Sequence, residues 1–179
     1  MTATTATNTS EQTFTQTVTA TKGKCPIGEI VGHRGKERSK IPVLSCEGAC
    51  IRGEIARLAA NMISKEEPYG RGCHGELLTV PESAIAQWIK SAEKVVLIDG
   101  CFLRCHGRLL EHILDEDQLI QFDALAVYKK YNDIFDIDDV PEAERLATAR
   151  QVVDSVLGRL ERGDQSSPSA SDQQGGCGG

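Results

Sequence analysis

The chain has 179 residues and carries 26 Asp and Glu against 20 Lys and Arg, a formal charge of −6 with a pI near 5.3. That balance creates no positive field to gather nucleic acid or anionic lipid, and no local cluster of Lys or Arg supplies one. Aromatic residues are 4% of the chain, too few for a base-stacking platform or an aromatic-lined pocket for a flat cofactor.

In chain order, residues 1–24 are rich in Thr, Ala and Gln, with few large apolar residues beyond Phe14 and Val18. They cannot bury enough surface to offset ordering and read as a disordered arm. Met1-Thr2-Ala3-Thr4-Thr5 lacks the basic and apolar segments of a leader, and no apolar run approaches the roughly 18 residues of a membrane span. A cytoplasmic location without membrane contact is expected. Residues 25–162 form one domain of ordinary size. Lys36, Glu37, Arg38 and Lys40 read as a solvated loop before a strand at 41–45.

Ile51, Ile55, Leu58, Ala59 and Met62 then recur at helical spacing, and Glu66-Glu67-Pro68-Tyr69-Gly70 breaks that helix. Pro81 opens a second helix, striped by Ile85, Trp88, Ile89 and Ala92, which leads into Val95-Val96-Leu97-Ile98. An apolar run without polar alternation suits a strand covered on both faces. Leu103, Leu110, Ile113 and Leu114 mark the next helix, and Gln118–Phe122 a further strand. Asp133, Asp136, Asp138 and Asp139 read as a solvated acidic loop, and Leu146, Ala149, Val153, Val156 and Leu160 as a long closing helix. Residues 163–179 are a flexible Ser/Gly-rich tail carrying Cys177. Alternating strands and helices predict a small three-layer α/β domain, a mainly parallel sheet with helices on both faces, between disordered tails.

Cysteine carries the chemistry. Seven cysteines in a reducing compartment do not suit a disulfide framework, and an odd number cannot pair completely. Two pairs share one spacing, Cys46-Glu-Gly-Ala-Cys50 and Cys101-Phe-Leu-Arg-Cys105, each where an apolar run gives way to a helical pattern. Loops leaving the carboxyl ends of parallel strands share one edge of the sheet, where ligands collect. If the two strands are neighbours, about 5 Å apart, the four sulfurs could reach one tetrahedral ion. Helix N-termini favour thiolates, so these cysteines are expected to ionise easily, and Gly100 is expected to permit a sharp turn before Cys101. Packing is the competing account, because free cysteine is among the most buried residue types.

Cys73 lies in Gly70-Arg71-Gly72-Cys73-His74-Gly75, from which a thiol could reach the same edge. His74 and His106 each follow a cysteine and offer nitrogen ligands or acid–base groups, whereas His33 and His112 read as surface residues. Gly70-x-Gly72-x-x-Gly75 has the dinucleotide spacing but follows Lys65-Glu66-Glu67-Pro68, which does not read as a strand. Cys101-x3-Cys105 begins like a radical-type iron–sulfur motif whose third cysteine would fall on Arg108.

The apolar strand followed by Asp99-Gly100-Cys101-x3-Cys105, the early strand ending at Cys46-Glu-Gly-Ala, and the segment around Cys73 together resemble the DGC-domain family. That family is named for its Asp-Gly-Cys motif and carries a zinc-binding label based on four cysteines. The resemblance covers roughly Val43 to Leu160 and implies Cys46, Cys73, Cys101 and Cys105 as ligands; the spacing of the two pairs favours Cys50 in place of Cys73. A zinc-binding protein is thus the leading expectation. The alternatives are a thiol-based sulfur carrier or redox protein using Cys101 with Cys105 or Cys46, and an iron–sulfur carrier on the same sulfurs. Cys177 could then relay sulfur to a receiving protein. No residue is assigned a catalytic role, since no Ser-His-Asp set, phosphate loop or readable carboxylate pair is present.

Overall fold

The computed structural model describes residues 14–128 and 139–163. Its frame is a four-stranded, all-parallel sheet formed by β1 (Ile41–Ser45), β2 (Tyr69–Arg71), β3 (Val95–Asp99) and β4 (Leu119–Asp123) in the order β2-β1-β3-β4. β3 is buried at all five positions, which the unbroken run Val95–Ile98 requires of a strand covered on both faces. From β1 the chain passes through α2 (Ile51–Ile63) to β2 on one side. It returns through α3 (His74–Thr79) and α4 (Ala84–Ser91) to β3 on the other side of β1, then continues through α5 (Cys105–Leu110) to β4. The winding therefore reverses between β1 and β3.

α6 (Leu125–Tyr128) follows β4, and α7 (Glu142–Glu161) closes the domain. One face of the sheet gives Val43, Val96, Ile98, Ile120 and Phe122 to a core completed by α2 and α7 through Ile55, Ala59, Ala149, Val152 and Val156. The other face gives Leu44, Val95 and Leu97 to a core completed by Leu77, Ile85, Trp88, Ile89 and Leu110. Each Leu or Ile buried there contributes about 1.5–3 kcal/mol relative to exposure. The expected three-layer α/β architecture is the one observed.

Several local expectations are corrected. Lys36 and Glu37 are not in a loop: they end α1 (Pro26–Glu37), which starts from Cys25 with Pro26 at its first position. α1 packs on α4 through Gly32 and Gly35, while Gly28 lies against Glu76 of α3. A Cβ on Gly32 would run into the backbone of Ala84 and Ile85, and one on Gly35 into the Trp88 ring. Lys40, far from being merely solvated, donates to the Tyr69 carbonyl and pairs with Glu67, while its own carbonyl accepts from Trp88 Nε1. The residues before Gly70, Lys65-Glu66-Glu67-Pro68, form turns and no strand, as expected, while Gly70 and Arg71 themselves lie in β2. A Cβ on Gly70 or Gly72 would press on Trp88 or Leu44, which assigns these glycines to packing.

α4 starts three residues after Pro81, where the Ser83 side chain accepts from the Ala86 amide. α5 starts at Cys105 and not near Leu103, which is exposed, and Leu146 lies on the exposed side of α7. Asp133, Asp136, Asp138, residues 164–179 with Cys177, and the first part of the N-terminal arm lie outside the described residues. Among the described residues no helix is long and apolar enough to cross a membrane.

Candidate metal centre

Because all four strands run the same way, Cys46, Cys73 and Asp99 lie at the carboxyl ends of three adjacent strands. Ser45 pairs with Ile98, and the Cys46 amide donates to the Ile98 carbonyl at 2.8 Å, so Cys46 stands level with Asp99 on the next strand. This is the reversal point of the winding, where the helices after β1 and β3 leave for opposite faces of the sheet, the position at which open α/β sheets generally form a ligand crevice.

Asp99 ends β3 and is 1% exposed. The His106 and Gly107 amides, in the first turn of α5, donate to its Oδ1 and Oδ2 at 3.3 and 3.2 Å. Gly107 makes this approach feasible, since a Cβ there would collide with Gln121 Oε1 and crowd Asp99. Burial raises the Asp99 pKa above the ordinary carboxylate value, against the opposing pull of those amides and His106. Holding Asp99 thus brings the His106 ring to the same place. A Cys46 Sγ, an Asp99 oxygen and a His106 ring nitrogen all lie within 4.8 Å of one another. Among the described residues this is the one group of three or more such donors. Donors on one tetrahedral zinc ion are roughly 3.3–3.7 Å apart, so contraction by about 1 Å would bring these atoms to that spacing.

Neighbouring contacts fix the cluster. The Gly48 amide donates to Cys46 Sγ at 3.3 Å and orients the thiol. Arg71, at the end of β2, donates to Ser45 Oγ, Glu47 Oε1, Asn61 Oδ1 and the Val43 carbonyl, tying the end of β2 to the Cys46 corner. His74, the first residue of α3, meets His106 edge-on with ring centroids 4.7 Å apart and planes at 65°. Desolvation, followed by the charges of His106 and Arg71, pushes the His74 pKa down to about 3, so this ring is neutral at ordinary pH. His74 Nε2 and His106 Nδ1 are buried without a hydrogen-bond partner among the described residues. A buried nitrogen in that condition costs about 1–3 kcal/mol, and a bound cation would remove the cost.

Cys46 is the one sequence-nominated cysteine in the three-donor group. Cys73 is half-buried at the N-cap of α3, beside His74; Cys105 is exposed, beside His106; Cys50 is the N-cap of α2 without a side-chain capping bond. Cys101 is half-buried beyond Asp99, within electrostatic range of Cys50 and Asp123. Its thiol departs from the expectation of easy ionisation. Burial raises its pKa, Asp123 and Cys50 add to the rise, and the Leu103 amide and Arg52 oppose it. Gly100 is likewise needed for room more than for a left-handed turn: a Cβ there would press on the first turn of α2. Asp99 was readable only as part of a turn, although an acidic residue closing an unbroken apolar strand was its signal.

The sequence profile described as DGC domain matches residues 42–152, more than half of the chain. This chain belongs to the DGC-domain family. The matched segment of the DGC domain includes β2, β3, β4, all of β1 but Ile41, and every residue of the Cys46–Asp99–His106 group. No curated protein and no solved structure matches the chain.

Proposed function

We propose that this DGC-domain protein binds one transition-metal ion, zinc, at the crevice between β1 and β3, with Cys46, Asp99 and His106 as its ligands. The observation that carries this reading is the approach of three different donor groups to within 4.8 Å at the reversal point of the sheet. Thiolate, imidazole and carboxylate together suit zinc better than calcium or magnesium, which prefer all-oxygen shells. When bound, the ion would supply Lewis acidity and hold its thiolate deprotonated. Asp99 reaches it from a carboxylate already fixed by two amides, so little side-chain freedom is lost on binding. Thiol chemistry centred on Cys101 has less support, because burial disfavours its thiolate.

Elemental analysis of the full chain, purified without added metal and after reloading with zinc, tests the proposal. One equivalent is expected, lost in Cys46→Ser and His106→Gln and kept in Cys101→Ser and Cys105→Ser. Retention in Cys46→Ser would overturn the site, and loss in Cys101→Ser or Cys105→Ser would point instead to a cysteine-based set.

A further inference from the structure

Three adjacent strand ends surround the crevice, and the proposal above uses only two of them. β2 lies beside β1 on the side away from β3 and delivers His74 immediately after Gly72 and Cys73. His106 arrives from the β3 side, and the two rings meet edge-on. His74 stands outside the group of donors that lie within 4.8 Å of one another, so binding the same ion requires its ring to move towards them. Two imidazoles on one tetrahedral ion have ring centres about 5 Å apart, from a metal–nitrogen bond of about 2.0 Å and the tetrahedral angle. The observed 4.7 Å, with the planes at 65°, is within a few tenths of an ångström of that arrangement. Each ring also keeps one buried nitrogen without a protein partner, Nε2 in His74 and Nδ1 in His106. Two unsatisfied nitrogens on touching rings are costly separately, and a single cation touching both would satisfy them together.

We infer that His74 is the fourth ligand of the metal site, closing a Cys46–Asp99–His106–His74 shell by bridging the end of β2 to the end of β3. The inference rests on the proposed three-donor site and extends it. Four protein donors leave no place for water in a tetrahedral shell, which makes this a closed site, one that holds its ion and fastens three strand ends. Arg71 supports the bridge from behind, since its bonds to Ser45, Glu47 and the Val43 carbonyl fix the end of β2 against β1.

X-ray absorption at the zinc edge of the loaded full chain gives a count of imidazoles that does not depend on any activity. Two imidazoles with one sulfur are expected in the unaltered protein, and one imidazole in His74→Gln. Zinc affinity, measured by competition with a chromophoric chelator, should fall at least about 100-fold in His74→Gln, beyond the 10–100-fold typical of losing an outer-shell partner. His74→Cys should recover most of it by offering a thiolate, which guards against a mere folding defect in His74→Gln. A single imidazole in the unaltered chain, or an affinity unchanged by His74→Gln while Cys46→Ser abolishes binding, would overturn the role of His74 alone. Zinc binding that survives Cys46→Ser would overturn the three-donor site beneath it.

Discussion

The two cysteine corners have the same spacing in sequence and different positions in the sheet. In the first, β1 ends at Ser45, Cys46 follows at once, and α2 begins directly after Cys50. In the second, β3 runs one residue further to Asp99, Gly100 intervenes, and the chain turns through Cys101 and a left-handed Arg104 before α5 begins at Cys105. Aligning the cysteines therefore pairs the wrong residues. The hydrogen-bonded register matches Ser45 with Ile98 and so sets Cys46 beside Asp99, with Cys101 two positions beyond. Ligand identity in a parallel sheet follows strand register, and a duplicated motif indicates the register only when both strands end at the same point of the motif.

The sharpest way to break this comparison is to exchange the cysteines' fates. Cys46→Ser is expected to reduce bound zinc from one equivalent to background while Cys101→Ser keeps it, a contrast of at least about 100-fold in affinity by chelator competition. Equal losses at both corners would restore their equivalence.

The next effect concerns the metal-free protein and acid. His74 has an ordinary pKa of 6.5 and one of about 3 in the fold, where it faces His106 and Arg71. Between those values the unfolded chain takes up a proton that the folded chain refuses. Stability from this group is complete above pH 6.5 and is lost as pH falls towards 3, by on the order of 5 kcal/mol at about 1.4 kcal/mol per unit. Asp99 and Asp123 act in the opposite sense, because burial raises both and the fold then retains protons that the unfolded chain has released. Urea unfolding at pH 4 to 7 should therefore show acid weakening of the metal-free protein, and His74→Gln should abolish or reverse it.

A substitution remote from both corners sharpens the comparison by serving as a control. Gly32→Ala forces α1 away from the backbone of α4 and should lower stability by about 1–3 kcal/mol, read by urea midpoint, with zinc stoichiometry unchanged. Smallest of all, Arg104→Gly relieves the left-handed conformation peculiar to the second corner and gives up an exposed pairing with Glu111. A gain of at most about 1 kcal/mol is expected, seen as a small rise in thermal midpoint.

How far the fold was legible follows the same logic of which forces leave a trace in sequence. β1, β3 and α7 announced themselves by apolar runs or stripes, because burial against the core selects those residues. α1 did not, because its packed face is Gly28, Gly32 and Gly35 while Ile27 and Ile30 are exposed, the inverse of an amphipathic stripe. β2 was hidden by having only three residues directly after a proline. At the site, Cys46 and His106 were recognisable by chemical type. Asp99 was not, since its role comes from the height at which β3 ends, a property of pairing between strands. His74 was recognisable by type as well, but its edge-on meeting with His106 was not, because it depends on where β2 pairs.

The family match ends where two supporting elements continue. It spans residues 42–152, whereas α1 lies before it and α7 extends to Glu161, carrying Val153 and Val156 into the core. Excising that span for expression would strip the cover from Trp88, remove the carbonyl its indole binds, and cut a helix through its buried half. A fragment for recombinant work should therefore keep α1 and the whole of α7, since α1 and the end of α7 pack on the matched span from outside it.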